Sequence, residues 1–196
     1  LIFSTLTDEI TGEISQGNLG NYLIKPVNFF SYRAAKELAD KYKNILFSLV
    51  ETILLYFIFK PPLILPTSWF QILMFIAAVL LGSIIYVQIS ILVALATFWF
   101  RENSGWPIRF LFTIIIYFFG GNIFPLDILP KPLSIIFAFL PTAYFMFMPL
   151  TIWLGKYGFL QSMISIISAG LWMVILSIIL QLVWKKGVRI YENEGR

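Results

Sequence analysis

Charged side chains crowd the opening of this chain and then nearly vanish. Asp8, Glu9, Glu13, Lys25, Arg33, Lys36, Glu37, Asp40, Lys41 and Lys43 fall within residues 8–43, whereas residues 61–100 carry no charge at all. A charge-free apolar run longer than about 18 residues marks a helix that crosses a bilayer. Residues 61–68 read as a proline-rich turn and residues 69–100 as one span. At the helical rise of 1.5 Å per residue such a span would run roughly 48 Å, against a hydrocarbon core of about 30 Å. It must therefore tilt, extend beyond the bilayer, or kink near Gly82-Ser83.

The same pattern places the other elements. Ile10, Ile14, Leu19 and Leu23 predict short amphipathic pieces, punctuated by Gly17 and Gly20 and ended by Pro26. Ser31 predicts the cap of a helix running through Ala34 and Ala35 towards Tyr42. Residues 44–60 form a first span with Glu51 near its middle, closed by Lys60-Pro61-Pro62. Residues 107–121 form a third span, opened by Pro107 and broken at Gly120-Gly121-Asn122. Pro125, Pro130, Pro132, Pro141 and Pro149 then cut residues 122–156 into pieces too short to cross. Such backbone is tolerated at membrane depth only against protein or a wet cavity, so it predicts an external re-entrant hairpin. Residues 159–184 make the last span, stopped by Lys185-Lys186-Gly187, and 185–196 form a tail. The fold class expected is an all-α integral membrane protein. It has four transmembrane helices, an amphipathic segment at residues 8–43 and an external hairpin, all in one transmembrane domain.

Composition agrees: 59% of residues are hydrophobic and only 12% charged, where soluble domains carry about 25%. Absence of cysteine excludes a disulfide framework and thiolate metal sites, and absence of histidine removes the commonest ligand and general base. The net charge of +4 is topological. With residues 8–43, the turn carrying Arg101 and Arg109, and residues 185–196 placed in the cytoplasm, eleven of the 14 basic residues fall inside, leaving Lys60, Lys131 and Lys156 outside. That split obeys the positive-inside rule and leaves no nucleic-acid footprint. Tyr56, Trp69, Trp99, Trp106, Trp153 and Trp184 fit the interfacial aromatic belt. The chain opens on Leu1 in mid-pattern, without a charged leader, and reads as a fragment that lacks its own N-terminus.

Candidate chemistry is sparse. Glu51 is the one acid well inside a span, where a carboxylate is costly and faces protein or water. With no second acid, His or Lys nearby it makes a poor proton relay, and a hydrogen-bonded structural role competes with a functional one. Gly12 and Gly17 have phosphate-loop spacing, but Asn18-Leu19 follows instead of Lys-Ser/Thr, so no nucleotide site forms. Asp8, Glu9 and Glu13 read as a solvated helical face. The stretch from Phe124 to Pro130 reads equally as a shaped external lid or as an ordinary loop. No catalytic set, metal site or cofactor is expected on this chain.

The run Glu9-Ile10-x-x-Glu13-Ile14-x-x-Gly17-x-Leu19-x-x-x-Leu23-x-Lys25-Pro26-Val27 resembles the cytoplasmic segment of ABC type 2 transporter permeases. The likeness is strongest to the branch that includes viologen- and daunorubicin-type exporters. Further matches follow in order: Phe98-Trp99, Gly120-Gly121 before Phe124-Pro125-Leu126-Asp127, Leu129-Pro130, Leu140-Pro141, Met148-Pro149, Gly155, and Trp184-x-x-Gly187-x-Arg189-x-Tyr191-Glu192-x-x-Gly195. Each piece is weak alone; the ordered set spans nearly the whole chain.

The resemblance implies a six-span permease of which these are the last four spans, in a prokaryotic cell membrane. It implies a separate ABC ATPase subunit and a second permease subunit, the same chain or a different one, surrounded by lipid. Glu9, Glu13, Ile14, Gly17, Leu19, Leu23, Lys25 and Pro26 would form the ATPase-coupling element. Gly120, Gly121, Phe124, Pro125, Leu126, Pro130 and Pro141 would form an external gate. The implied function is ATP-driven export of a hydrophobic or amphiphilic substrate. The alternative is an ion-coupled secondary transporter working through Glu51.

Overall fold

In the computed structural model, residues 5–20, 28–62, 64–100 and 106–193 are described, and they form helices, turns and loops with no strand among them. Helix α1 (Thr5–Ser15) is short and amphipathic. Helix α2 (Phe29–Phe59) is continuous over 31 residues. The sequence predicts a break before residue 44 and a cap at Ser31; instead the Asn28 side chain accepts from the Phe30 and Ser31 amides, and one helix runs from there. No Gly or Pro interrupts it until Lys60, which turns left-handed (φ 44°) before Pro61.

Helix α3 (Trp69–Leu95) starts at a reciprocal cap. Ser68 Oγ accepts from the Gln71 amide, and Gln71 Oε1 accepts from the Thr67 amide. A 3-10 turn (Ala96–Phe98) extends it. The helix continues through Gly82, near which a kink was one of three ways to accommodate the long span. Gly82 instead admits another chain segment: a Cβ there would lie 2.3 Å from the Tyr144 carbonyl oxygen.

Helix α4 (Trp106–Phe119) has 14 residues, about 21 Å of rise. That falls short of a hydrocarbon core of about 30 Å. Among the described residues, three helices are long and apolar enough to cross a membrane, over Tyr42–Phe59, Trp69–Phe98 and Phe159–Tyr191, with Arg109–Phe119 a shorter apolar helix. Gly121 adopts φ 78°, a left-handed conformation that ends α4 at the Gly120-Gly121-Asn122 break expected from the sequence. A folded segment follows: a 3-10 turn (Leu126–Ile128), α5 (Lys131–Phe139), a second 3-10 turn (Pro141–Tyr144) and α6 (Phe147–Trp153). Pro132 and Pro149 lie in the first turns of α5 and α6, where a missing amide hydrogen costs nothing.

Helix α7 (Phe159–Asn193) runs 35 residues and passes through Lys185-Lys186-Gly187, which were expected to stop it. Gly187 is there for close approach, since a Cβ would meet the Phe98 ring at 2.2 Å. Helices α3 and α7 form the central pair and run the same way, Phe70 meeting Phe159 at one end and Phe98 meeting Trp184 and Tyr191 at the other. Midway, Gln88 Nε2 donates to the Met173 carbonyl (3.1 Å) and to Ser177 Oγ (2.7 Å), a polar link of the kind that joins membrane helices.

Candidate functional site

Two assemblies sit at opposite ends of the α3–α7 pair. The first is built on α1. Ile10 and Ile14 are one turn apart and fully or almost fully buried, with Leu19, against Ile91, Ala94, Leu95, Phe98 and Tyr191. This apolar face seats α1 on the end of α3. Thr11 joins it, and the Thr97 hydroxyl donates to the Thr11 hydroxyl at 3.5 Å inside the contact.

The remaining side of α1 carries the acids, and these form ion pairs even where, as at Asp8, the side chain is exposed. Glu9 and Glu13, at i and i+4, share Arg33 of α2. Arg33 is 0% exposed; its Nη1 donates to Glu9 at 3.1 Å and its Nη2 to Glu13. The guanidinium carbon also lies 5.3 Å from the Phe29 ring centroid. Lys36 adds a third bond, Nζ donating to Glu9 at 2.7 Å, which raises the lysine pKa above its ordinary value. On the other flank, Arg109 of α4 donates to Asp8 at 2.6 Å. Helix α1 is thus pinned to α3 by packing and tied to α2 and α4 by its carboxylates. A signal for this was present in the sequence: acids at i, i+4 facing bases at i, i+3.

Of the expected coupling residues, Glu9, Glu13, Ile14, Gly17 and Leu19 come together here; Leu23, Lys25 and Pro26 lie outside the described residues. Ile14 and Leu19 face the chain's own core, so neither side chain is available to a partner surface. Gly17 has φ 78°, which the turn after α1 requires. The exposed side chains beside it are Gln16 and Asn18.

The second assembly gathers the expected gate residues. Leu126 is fully buried among Ala143, Tyr144 and Phe147. Gly121 touches it; a Cβ there would lie 3.2 Å from Phe147 Cβ. Gly120 passes close to the second 3-10 turn, whose first residue is Pro141. Phe124 packs edge-on against Phe118 at 5.0 Å, and Pro125 and Pro130 hold extended backbone on either side of Leu126–Ile128. Gln71 of α3 donates to the Ile152 and Trp153 carbonyls, and Trp172 of α7 donates to the Phe139 carbonyl. Lys156 donates to Asp127 and holds its carboxyl below the usual carboxylate range. Asn122, read from the sequence only as part of the helix break, has both amide atoms buried without a protein partner among the described residues.

Glu51 belongs to neither assembly. It lies on the exposed surface of α2, in a window, Tyr42–Phe59, of which no residue is buried. No hydrogen bond or ion pair joins it to another described residue.

Residues 1–195 match the family model described as ABC-2 family transporter protein. No curated protein and no solved structure matches.

Proposed function

The chain belongs to the ABC-2 transporter family, and from that premise we propose that it is the permease subunit of an exporter in the viologen- and daunorubicin-type branch. It moves a hydrophobic or amphiphilic substrate outward across a prokaryotic cell membrane. ATP is hydrolysed on a separate subunit, as is usual for a family whose membrane subunits are non-catalytic. A second permease, identical or different, completes the path.

The observation that carries this reading is the anchoring of α1. A short surface helix fastened to three others at one end of the bundle moves them together when pushed. Arg33 and Arg109 lie at that end, which supports placing it on the cytoplasmic side. The proline-rich segment at the opposite end is the external gate, its buried Leu126 acting as the plug that the turns at Gly121 and Pro125 position.

A photo-crosslinker placed at Gln16 or Asn18 tests the coupling. It is expected to capture a Walker-motif ATPase, identified by mass spectrometry, without disturbing the buried face of α1. Full-length protein that neither co-purifies with such an ATPase nor crosslinks to one refutes the reading. So does transport that survives ATP depletion and is lost in Glu51→Gln.

A further inference from the structure

A cleft of about 200 Å³ lies where α1, α3 and α4 meet. Arg109, Asp8, Tyr86, Trp106, Phe110 and Ile116 are among the residues that line it. Its wall is apolar along α4: the Trp106 and Phe110 rings stack at 5.1 Å, 11° from parallel. Its one cation among the described residues is the Arg109 guanidinium, set among the hydroxyl-bearing Thr7, Ser90, Thr113 and Tyr117. Arg109 is only 8% exposed, and its Nε has no hydrogen-bond partner. Asp8 takes Nη1 at 2.6 Å, yet the Asp8 side chain is itself 68% exposed.

This asymmetry has a chemical consequence. A buried guanidinium needs an anion and offers five N–H donors in a planar fork that suits bidentate acceptors. Asp8 satisfies one nitrogen from the solvent side and would return to water at little cost on displacement. We propose that the cleft binds the headgroup of a monoanionic amphiphile, a carboxylate or phosphate on Arg109 with its chain against the Trp106–Phe110 wall, and that Asp8 is the intramolecular stand-in for that headgroup. The volume suits a headgroup and the first methylenes, since whole drug-sized ligands occupy about 300–1,000 Å³. Displacing Asp8 removes the ion pair that ties α1 to α4, so occupancy loosens the coupling helix on one side while Arg33 keeps it on the other. Binding itself does not depend on the export reading.

The test uses the purified chain in phosphatidylcholine nanodiscs without any ATPase, labelled by a diazirine-bearing long-chain fatty acid. Labelling is expected to saturate, to map by mass spectrometry to the peptide holding Trp106 and Phe110, and to be competed by laurate but not by dodecanol. Arg109→Gln should raise the half-saturating concentration about tenfold or more, with Arg109→Lys intermediate. Asp8→Asn should lower it about threefold, because the competing carboxylate is gone. A merely structural ion pair would give the opposite sign. Unaltered labelling in Arg109→Gln, equal competition by dodecanol, or no tightening in Asp8→Asn overturns the proposal. If Arg109→Gln does not fold, the Asp8→Asn shift decides alone. Doping the bilayer with phosphatidylglycerol identifies the source: suppressed labelling assigns the site to a lipid headgroup, and unchanged labelling assigns it to a free amphiphile.

Discussion

Replacing Arg33 by Met keeps a long side chain while removing the charge that holds Glu9 and Glu13 together. Arg33 is completely buried, whereas the Glu13 and Glu9 side chains are 16% and 36% exposed. Removing one member of a buried pair costs about 3–5 kcal/mol, chiefly through the charge left behind. Here Glu9 keeps Lys36 and Glu13 keeps partial access to water, so the cost falls at the lower end, about 3 kcal/mol. Because α1 is a local element, the loss should register as easier detachment of α1 rather than as global unfolding. Backbone hydrogen exchange over residues 5–15 is the assay, and about 3 kcal/mol corresponds to roughly a hundredfold loss of protection. The double variant Arg33→Met with Glu13→Leu should recover most of that loss, since no buried charge is then unmatched. A loss below about fivefold in Arg33→Met, or strictly additive effects in the double variant, would refute the clamp.

Gly187→Ala drives a methyl group into the Phe98 ring within a packed cluster and should destabilise the α3–α7 contact by about 1–3 kcal/mol. Thermal unfolding checks it, and Phe98→Leu should partly rescue it. Gly82→Ala should cost at least as much, because the obstacle is the Tyr144 carbonyl and Phe145 Cα rather than a movable side chain; limited proteolysis between residues 140 and 158 should accelerate. Lys156 depresses the Asp127 carboxyl, so this exposed pair stabilises the hairpin fully above the ordinary carboxylate value of 3.8. The contribution, no more than about 1 kcal/mol, is lost as pH falls through the lower folded value. Hydrogen exchange of the hairpin should show that acid-side slope in the wild type and not in Asp127→Asn.

The spans and the broken hairpin were legible because a bilayer demands long uncharged runs and because proline cannot continue a helix. Residues 69–100 and the proline-cut stretch after Gly121 needed nothing more. Residues 107–121 were expected as a fourth span; α4 has only 14 described residues, yet it runs from the Arg109–Asp8 pair at one end of the bundle to Gly120 and Gly121 beside the hairpin at the other. The stop expected at Gly187 is absent because a glycine inside a helix marks either a break or a close approach, and the partner decides which. Glu9, Glu13, Ile14, Gly17 and Leu19, expected in one coupling element, lie together, but not all with the environments expected. Leu19, expected at a partner surface, is core, while Asp8, Glu9 and Glu13, expected in solvent, form ion pairs.

By itself, then, the sequence determined the solvent, the helical class and where the long uncharged runs lie. Those follow from one-dimensional quantities: the transfer of each side chain between water and lipid, and backbone rules that act within a few residues. Tertiary structure alone decided which charges neutralise one another and which glycines touch another chain segment. Arg33 and Glu13 are twenty residues apart, and Arg109 and Asp8 a hundred and one. No local preference distinguishes a buried guanidinium from a solvated one until the helices that carry its partners have packed.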